Sequence, residues 1–355
     1  MDIEIVPFDP QTATKEEWAR YHVFRRLRHQ ETEPEDPMYR DRTFETFLKH
    51  RDPHWKHTRF VVLRKGGPNA QIGAFDYNIT PEDSPDYTEN GHLAYVSLEV
   101  LGPDRRQGVG HQLLAHAVEL AKADHRTLLI GGSDEEDGFA FMKAIGAEMA
   151  SKGQESRLRL KEIDWDMVRT WADEGPERSP ESTLRFYENY VPDELLEDFS
   201  EAFTEMINQQ PRDDLAIGDE ILTPERIRTW EELLVAAGGT GLGAVTLEAD
   251  GRVSGFTGVG YFPEKATMLH QYLTGVRLVY RGRGLGKWLK GAMLLRVQER
   301  FPKVEVIVTG NATSNRAMLS INERLGFKFH KEGIDAQISV EASEAWLDRH
   351  PAGDS

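Results

Sequence analysis

Two hydrophobic periods alternate along this chain. Alternation with period two predicts strands at 3–7, 59–64, 71–79 and 93–101, the middle pair joined as a hairpin by Lys65-Gly66-Gly67-Pro68-Asn69. Helical spacing through Trp18, Tyr21, Phe24 and Leu27 predicts a helix over 15–30, and Phe44, Phe47 and Leu48 mark a second at 40–49. A helix over 109–123 follows, with Val109, Leu113, Ala117 and Leu120 as its buried stripe. A strand at 127–130, a helix at 136–143 ended by Gly146, and a strand at 155–160 complete the first half.

Residues 161–215 are rich in Glu, Asp and Pro, with helical stretches expected at 164–173, 180–189 and 193–209. Phe186, Tyr187, Leu195, Phe199, Phe203 and Met206 make this region too apolar for a free linker, so it is expected to pack. A helix at 224–237 and a hairpin (243–248 with 252–262) come next, then a strand at 272–276 and a helix at 284–300. A strand at 304–308, a helix at 315–325 capped by Gly326, strands at 327–330 and 336–340, and a tail helix at 342–349 end the chain. Strand-rich segments separated by two or more helices predict a mixed α/β (α+β) fold.

One pattern occurs twice. Arg281-Gly282-Arg283-Gly284-Leu285-Gly286 joins a strand to a helix, and so does Arg105-Arg106-Gln107-Gly108-Val109-Gly110, 176 residues earlier. Gly146 and Gly326, each closing a later helix, lie 180 residues apart. Two landmarks at nearly one offset predict duplication of a whole domain, with units at 1–160 and 161–355. In such a turn the loop amides and the positive end of the helix dipole form a seat for a diphosphate, and glycine lets a ligand approach bare backbone. The bland alternative is a helix-start turn without a ligand. A nucleotide P-loop is excluded because no Lys-Ser/Thr pair ends the motif.

Composition narrows the classes. A length of 355 residues accommodates two domains with cores of their own. The absence of cysteine removes disulfides, thiolate metal sites and a cysteine nucleophile, and no metal site is expected. A formal charge of −17 disfavours a nucleic-acid partner and mildly favours a cationic substrate. No apolar run is long enough for a bilayer and the N-terminus lacks signal-peptide character, so a cytoplasmic location and no membrane partner are expected.

Strand, Arg-x-x-Gly-x-Gly, helix, strand, and a helix ending in Leu325-Gly326-Phe327 resemble the GNAT superfamily of acetyl-CoA-dependent N-acetyltransferases. The likeness occurs twice and covers nearly the whole chain, as in tandem members with the layout of mycothiol synthase. The second copy is the better match: Gln271, Thr274, Val276, Thr309-Gly310-Asn311, Asn315, Met318 and Asn322 add to it. The resemblance implies two tandem GNAT-like acyl-CoA N-acyltransferase domains, the first degenerate and the second catalytic. It implies acetyl-CoA (coenzyme A) as cofactor, with the pyrophosphate on the loop of Arg281, Gly282, Arg283, Gly284, Leu285 and Gly286. The strand backbone at Gly275 and Val276 would hold the pantetheine and thioester, and Asn315 the cofactor arm. Arg105, Gly108 and Gly110 are the first-copy counterparts. Arg277, Lys287 and Lys290 are candidates for the adenosine phosphate.

Transfer of an acetyl group to the amine of a small molecule needs a base, because only the neutral amine attacks. The position that carries the base in many family members is His270, with Glu264 and Tyr272 as further candidates. The position of the tyrosine that protonates the leaving thiolate is Asn322, which hydrogen-bonds but donates no proton. In the first copy the base and tyrosine positions hold Ala94 and Met142 and the Asn315 position holds Glu135, leaving His92 and Glu99, on or near that strand, as the groups that could act. Direct attack in a ternary complex is the expected route. The alternative is a non-catalytic acyl-CoA-binding or interaction protein on a duplicated fold. Oligomeric state is not legible.

Overall fold

The computed structural model describes residues 1–66 and 70–351, so the expected Lys65–Asn69 turn lies partly outside the described residues. The first half runs β1 (Ile3–Pro7), α1 (Lys15–Thr32), α2 (Asp41–Lys49), β2 (Lys56–Arg64), β3 (Gln71–Ile79), α3 (Tyr87–Asn90) and β4 (Leu93–Val100). It continues through α4 (Val109–Ala123), β5 (Leu128–Ser133), α5 (Glu136–Ala144) and β6 (Glu148–Arg159). The second half runs α6 (Trp165–Arg178), β7 (Thr183–Glu188), α7 (Leu196–Asn208), α8 (Pro224–Ala236), β8 (Thr240–Leu247), β9 (Val253–Tyr261) and β10 (Met268–Val276). It ends with α9 (Leu285–Arg300), β11 (Val306–Ala312), α10 (Arg316–Leu325), β12 (Lys328–Ser339) and α11 (Val340–Arg349).

Local chemistry accounts for the clearest elements. Thr14 and Glu17 cap each other's backbone at the start of α1, and Trp18, Tyr21 and Phe24 bury its inner face. β9 is buried at all but its last residue, which fits a central strand with helices on both sides. The two largest cores are one of β2–β5 under α4 and one of β8–β11 under α9 and α6.

All twelve strands join in one sheet, ordered β1-β2-β3-β4-β5-β12-β6-β11-β10-β9-β8-β7. Only β4–β5 and β10–β11 are parallel, and each of these pairs is bridged by the helix that follows a glycine motif. The two halves exchange their last strands. β12 of the second half lies between β5 and β6, and β6 of the first half lies between β12 and β11. Side chains add to this bond between halves: the buried Arg226 guanidinium is 2.9 Å from the buried Asp86 carboxylate.

Three segments differ from expectation. Residues 180–189 are not helical; 183–188 form edge strand β7 on β8, with Leu184 and Phe186 turned to the core and Thr183 and Arg185 to water. A short period-two pattern won there over a helical one. β6 begins at Glu148 rather than 155, its polar residues hiding a strand covered on both edges. The expected strands at 327–330 and 336–340 are one strand, β12, with two register shifts. No helix among the described residues is long and apolar enough to cross a membrane.

Candidate functional site

β10 and β11 pair only at Met268–His270 with Val306–Val308, then diverge. A bulge between Gln271 and Thr274 shifts β10 against β9 and helps turn its end away from β11. The gap between the two strands opens into a cavity of about 1200 Å³. Its floor includes Tyr272, Thr274, Gly275 and Val276 on one side and Thr309, Gly310 and Asn311 on the other.

Backbone donors line this gap. The Arg277 N–H bonds the Ser254 carbonyl of the β9 side at 2.9 Å. Donors alternate along an antiparallel pair, so the Gly275 amide also turns to β9 while those of Thr274 and Val276 turn into the gap. Of the two expected thioester-binding residues, Val276 therefore offers its N–H. At one end of the gap, Gly282 and Gly284 adopt left-handed backbone (φ 81° and 86°), with Gly284 as the N-cap of α9. The N–H groups of residues 282–286 have no acceptor among the described residues. These are the unpaired donors of a helix start, aimed at a cavity: an anion seat.

The side chains around that seat divide. Arg281 is exposed at the cavity wall, its guanidinium bonded only to the neutral Gln209 side chain and the Val276 carbonyl. Arg283 turns away, held by Glu181 and Glu248 at 2.8 Å each and by Ser182. Leu285 is buried, so its contribution is its amide. Asn315 caps α10 through the Met318 N–H at 3.2 Å and lines the cavity. Arg277 is already paired with Glu205 at 2.7 Å.

Lys290 stands elsewhere than a phosphate-binding lysine would. Its side chain is buried in the cavity wall, 3.1 Å from Asn322 Oδ1. Asn322 in turn donates to Asn311 Oδ1 at 2.9 Å. Burial without an anionic partner lowers the Lys290 pKa to about 7.

The base candidates are not brought together. His270 does not line the cavity; burial and the Lys265 charge lower its pKa, and its Nε2 has no partner among the described residues. Glu264 accepts the Arg40 N–H at 3.1 Å and is also outside. Tyr272 lines the cavity with half its surface exposed. The carboxylate that does reach the cavity is Glu231, bonded to the Val191 N–H at 2.7 Å and to Arg228 at 2.5 Å, with its pKa raised by burial. Around it lie Tyr187, Phe199, Phe203, Trp230 and Phe256, with the Phe199, Phe203 and Phe256 rings 5.1–5.6 Å apart. A sequence reading had no means of joining Glu231 on α8 to a loop 50 residues later.

The first copy keeps the turn, and its parallel strands β4 and β5 likewise pair only at Leu93–Tyr95 with Leu128–Ile130; the surroundings of the turn differ. Gly108 has the same left-handed geometry (φ 78°), but Arg105 is tied to Glu135 and Asp137 at 2.8 Å each. Phe141 lies 3.1 Å from where a Cβ on Gly110 would stand, so its ring packs against the first turn of α4 at that residue. In the second copy Ile321 is 3.8 Å from the matching point at Gly286.

Solved structures share this fold over nearly the whole chain. A tandem GNAT protein from the clavulanic acid biosynthesis pathway superposes with a TM-score of 0.76 at 24% identity, covering 96% of this chain and 99% of that one. The fold is that of tandem GNAT proteins. A GCN5-related N-acetyltransferase from Sphaerobacter thermophilus matches with a TM-score of 0.62 at 13% identity, over 95% of this chain and 96% of that one. Saccharomyces cerevisiae N-myristoyltransferase with bound myristoyl-CoA gives 0.57 at 13%, over 95% and 78%. No family model and no curated relative matches the sequence. The gap between β10 and β11 lies in the second of the two GNAT-like units, and the ion-paired Arg105 in the first.

Proposed function

We propose that the second unit is an acetyl-CoA-dependent N-acetyltransferase acting on the primary amine of a small molecule. The observation that carries this reading is the cleft itself: free loop amides at 282–286, strand amides turned into the gap, and a buried lysine between them. In this reading Arg281 and the loop amides hold the coenzyme pyrophosphate, Asn315 steadies the arm, and the Val276 N–H polarises the thioester carbonyl. Coenzyme A supplies the thioester.

The acceptor enters the aromatic end, where Glu231 attracts its ammonium and takes the proton that must leave before attack. The amine nitrogen bonds to the acetyl carbon, the C–S bond breaks, and the thiolate takes a proton from the Lys290 ammonium. Lys290 thus fills the place that Asn322 cannot. A thiol near pKa 8.5 and an ammonium near 7 are well matched for this transfer. The aromatic walls favour an acceptor with an apolar body.

Calorimetric titration with acetyl-CoA tests the reading. One site per chain, lost in Gly284→Glu and kept in Gly108→Glu, is expected. Absence of binding to the unmodified protein would overturn it.

A further inference from the structure

The first unit contains a second cavity, of about 340 Å³, on the side of its sheet away from its own glycine motif. Aromatic rings of α1 and α2 wall it: Tyr21, Phe24 and Phe44. Most of the charges around it are already neutralised in pairs. Arg25 bonds Asp41 at 2.6 Å, Arg28 bonds Glu31 and Glu135, and Arg59 bonds Asp76. Two are left over. Glu99, partly buried near the Arg28 and Arg59 charges, has no hydrogen bond among the described residues, and burial raises its carboxyl pKa. Lys265, contributed by the second half, is only 8% exposed and has no anionic partner within bonding distance among the described residues; its Nζ lies 4.5 Å from the Tyr39 ring.

A buried ammonium without an ion partner is costly, and together with a partly buried carboxyl that lacks a hydrogen bond on the same cavity it leaves two complementary vacancies for a ligand. We infer that this cavity binds a small amino-carboxylate zwitterion, its ammonium on Glu99, its carboxylate on Lys265 and its apolar body against Tyr21, Phe24 and Phe44. The volume is at the lower end of the range for small-molecule sites, which suits a single amino acid. The site is assigned binding without acylation, because in this unit Arg105 is held by Glu135 and Asp137 and the Phe141 ring packs at the Gly110 helix start. Lys265 stands three residues before β10, so a bound ligand is joined directly to the strand that floors the other cavity.

The test is calorimetry of the full chain against the twenty common L-amino acids, β-alanine and γ-aminobutyrate, each paired with its N-acetyl and carboxamide derivatives. At least one zwitterion is expected to bind once per chain, with both blocked derivatives weaker by at least about tenfold. Glu99→Gln and Lys265→Met should each weaken binding by about tenfold or more, whereas Glu231→Gln, in the other cavity, should not. Lys265→Met removes a buried charge without an ion pair and Glu99→Gln keeps the side-chain shape, so both variants should melt close to the parent, and melting curves separate loss of binding from unfolding. No binding by any member at millimolar concentration, equal binding of blocked derivatives, or sensitivity to Glu231→Gln instead of Glu99→Gln would each overturn the inference. It does not rest on the transferase reading: a chain that takes the zwitterion but not acetyl-CoA would keep this site and lose that function.

Discussion

Lys290 Nζ lies 3.1 Å from Asn322 Oδ1, inside a wall where both side chains are buried. Asn311 fixes the amide by accepting from Asn322 Nδ2, so the oxygen rather than the nitrogen faces the lysine. Among the described residues one acceptor serves a group that carries three protons when charged, and Lys290 lines the cavity. Replacing Lys290 by Met is expected to lower kcat by about 10²–10⁴-fold, the usual range for loss of a general acid, with little change in acetyl-CoA affinity. A second readout needs no acceptor: the thiol of bound coenzyme A, followed by thiolate absorbance, should ionise at lower pH than free thiol in the parent and not in Lys290→Met. Equal titration in both would remove Lys290 from this role.

The same lysine sets opposite pH trends for stability and rate. Its folded pKa, about 7, is below the ordinary 10.5. Between those values the unfolded chain binds a proton that the folded chain does not, so stability rises with pH across the window and its penalty is complete below about 7. The acid form is needed for protonation of the thiolate, so kcat should fall as pH rises through that range. Melting curves and kcat profiles of the parent and Lys290→Met, taken from neutral to alkaline pH, check both limbs. Lys290→Met should flatten the stability slope and melt higher at neutral pH.

What could be read from sequence follows from which residues act through backbone and which through tertiary surroundings. The loop at 281–286 was legible because glycine with left-handed φ is demanded by the turn itself. Lys290 was not, because beside Lys287 it resembles a solvated helix face, and only packing of α10 and Phe327 (5.5 Å from Nζ to the ring) turns it inward. His270 sat at the expected distance from the motif, but its side chain is outside the cavity. β7 was missed because two apolar residues at period two, Leu184 and Phe186, were outweighed by the surrounding polar residues. The exchange of β6 and β12 has no local signature at all, since it depends on which strand edge is left open by the other half.

Loop geometry predicts a contrast between the copies. At φ 86° a side chain on Gly284 is strained, and a carboxylate there would face the anion seat, so Gly284→Glu should abolish coenzyme binding. Arg281→Ala should weaken it by about tenfold, the value of one charge-assisted contact. Gly108→Glu should leave coenzyme affinity unchanged while lowering the melting temperature, because φ is equally positive there and Arg105 beside that turn is already bound by Glu135 and Asp137. Titration and thermal melts of the three variants separate these effects.

Arg283 belongs to stability rather than to the coenzyme. Its removal leaves Glu248, 8% exposed at the side chain, with Ser182 but no cation. Arg283→Ala should cost about 2 kcal/mol in denaturant unfolding, reduced from the fully buried case by the partial exposure of the arginine. Acetyl-CoA affinity should change by less than about threefold. A large loss of affinity at unchanged stability would place Arg283 on the coenzyme after all.

Strand exchange predicts that neither half folds by itself. A fragment of residues 1–163 keeps β6 but loses both its neighbours, β11 and β12, and also exposes the β5 edge that β12 covers. A fragment of residues 164–355 keeps β12 but loses both of its neighbours, β5 and β6. Open edges flanking buried residues such as Leu129, Ile130 and Leu158 are templates for aggregation. Expressed separately, the halves should be insoluble or self-associated. Co-expressed, they should assemble one to one, because the cut before the Asp164 cap of α6 breaks no strand and no helix. Size-exclusion chromatography with thermal melting decides the matter: a soluble, cooperatively folded monomer of either half would show that the exchanged strands are dispensable.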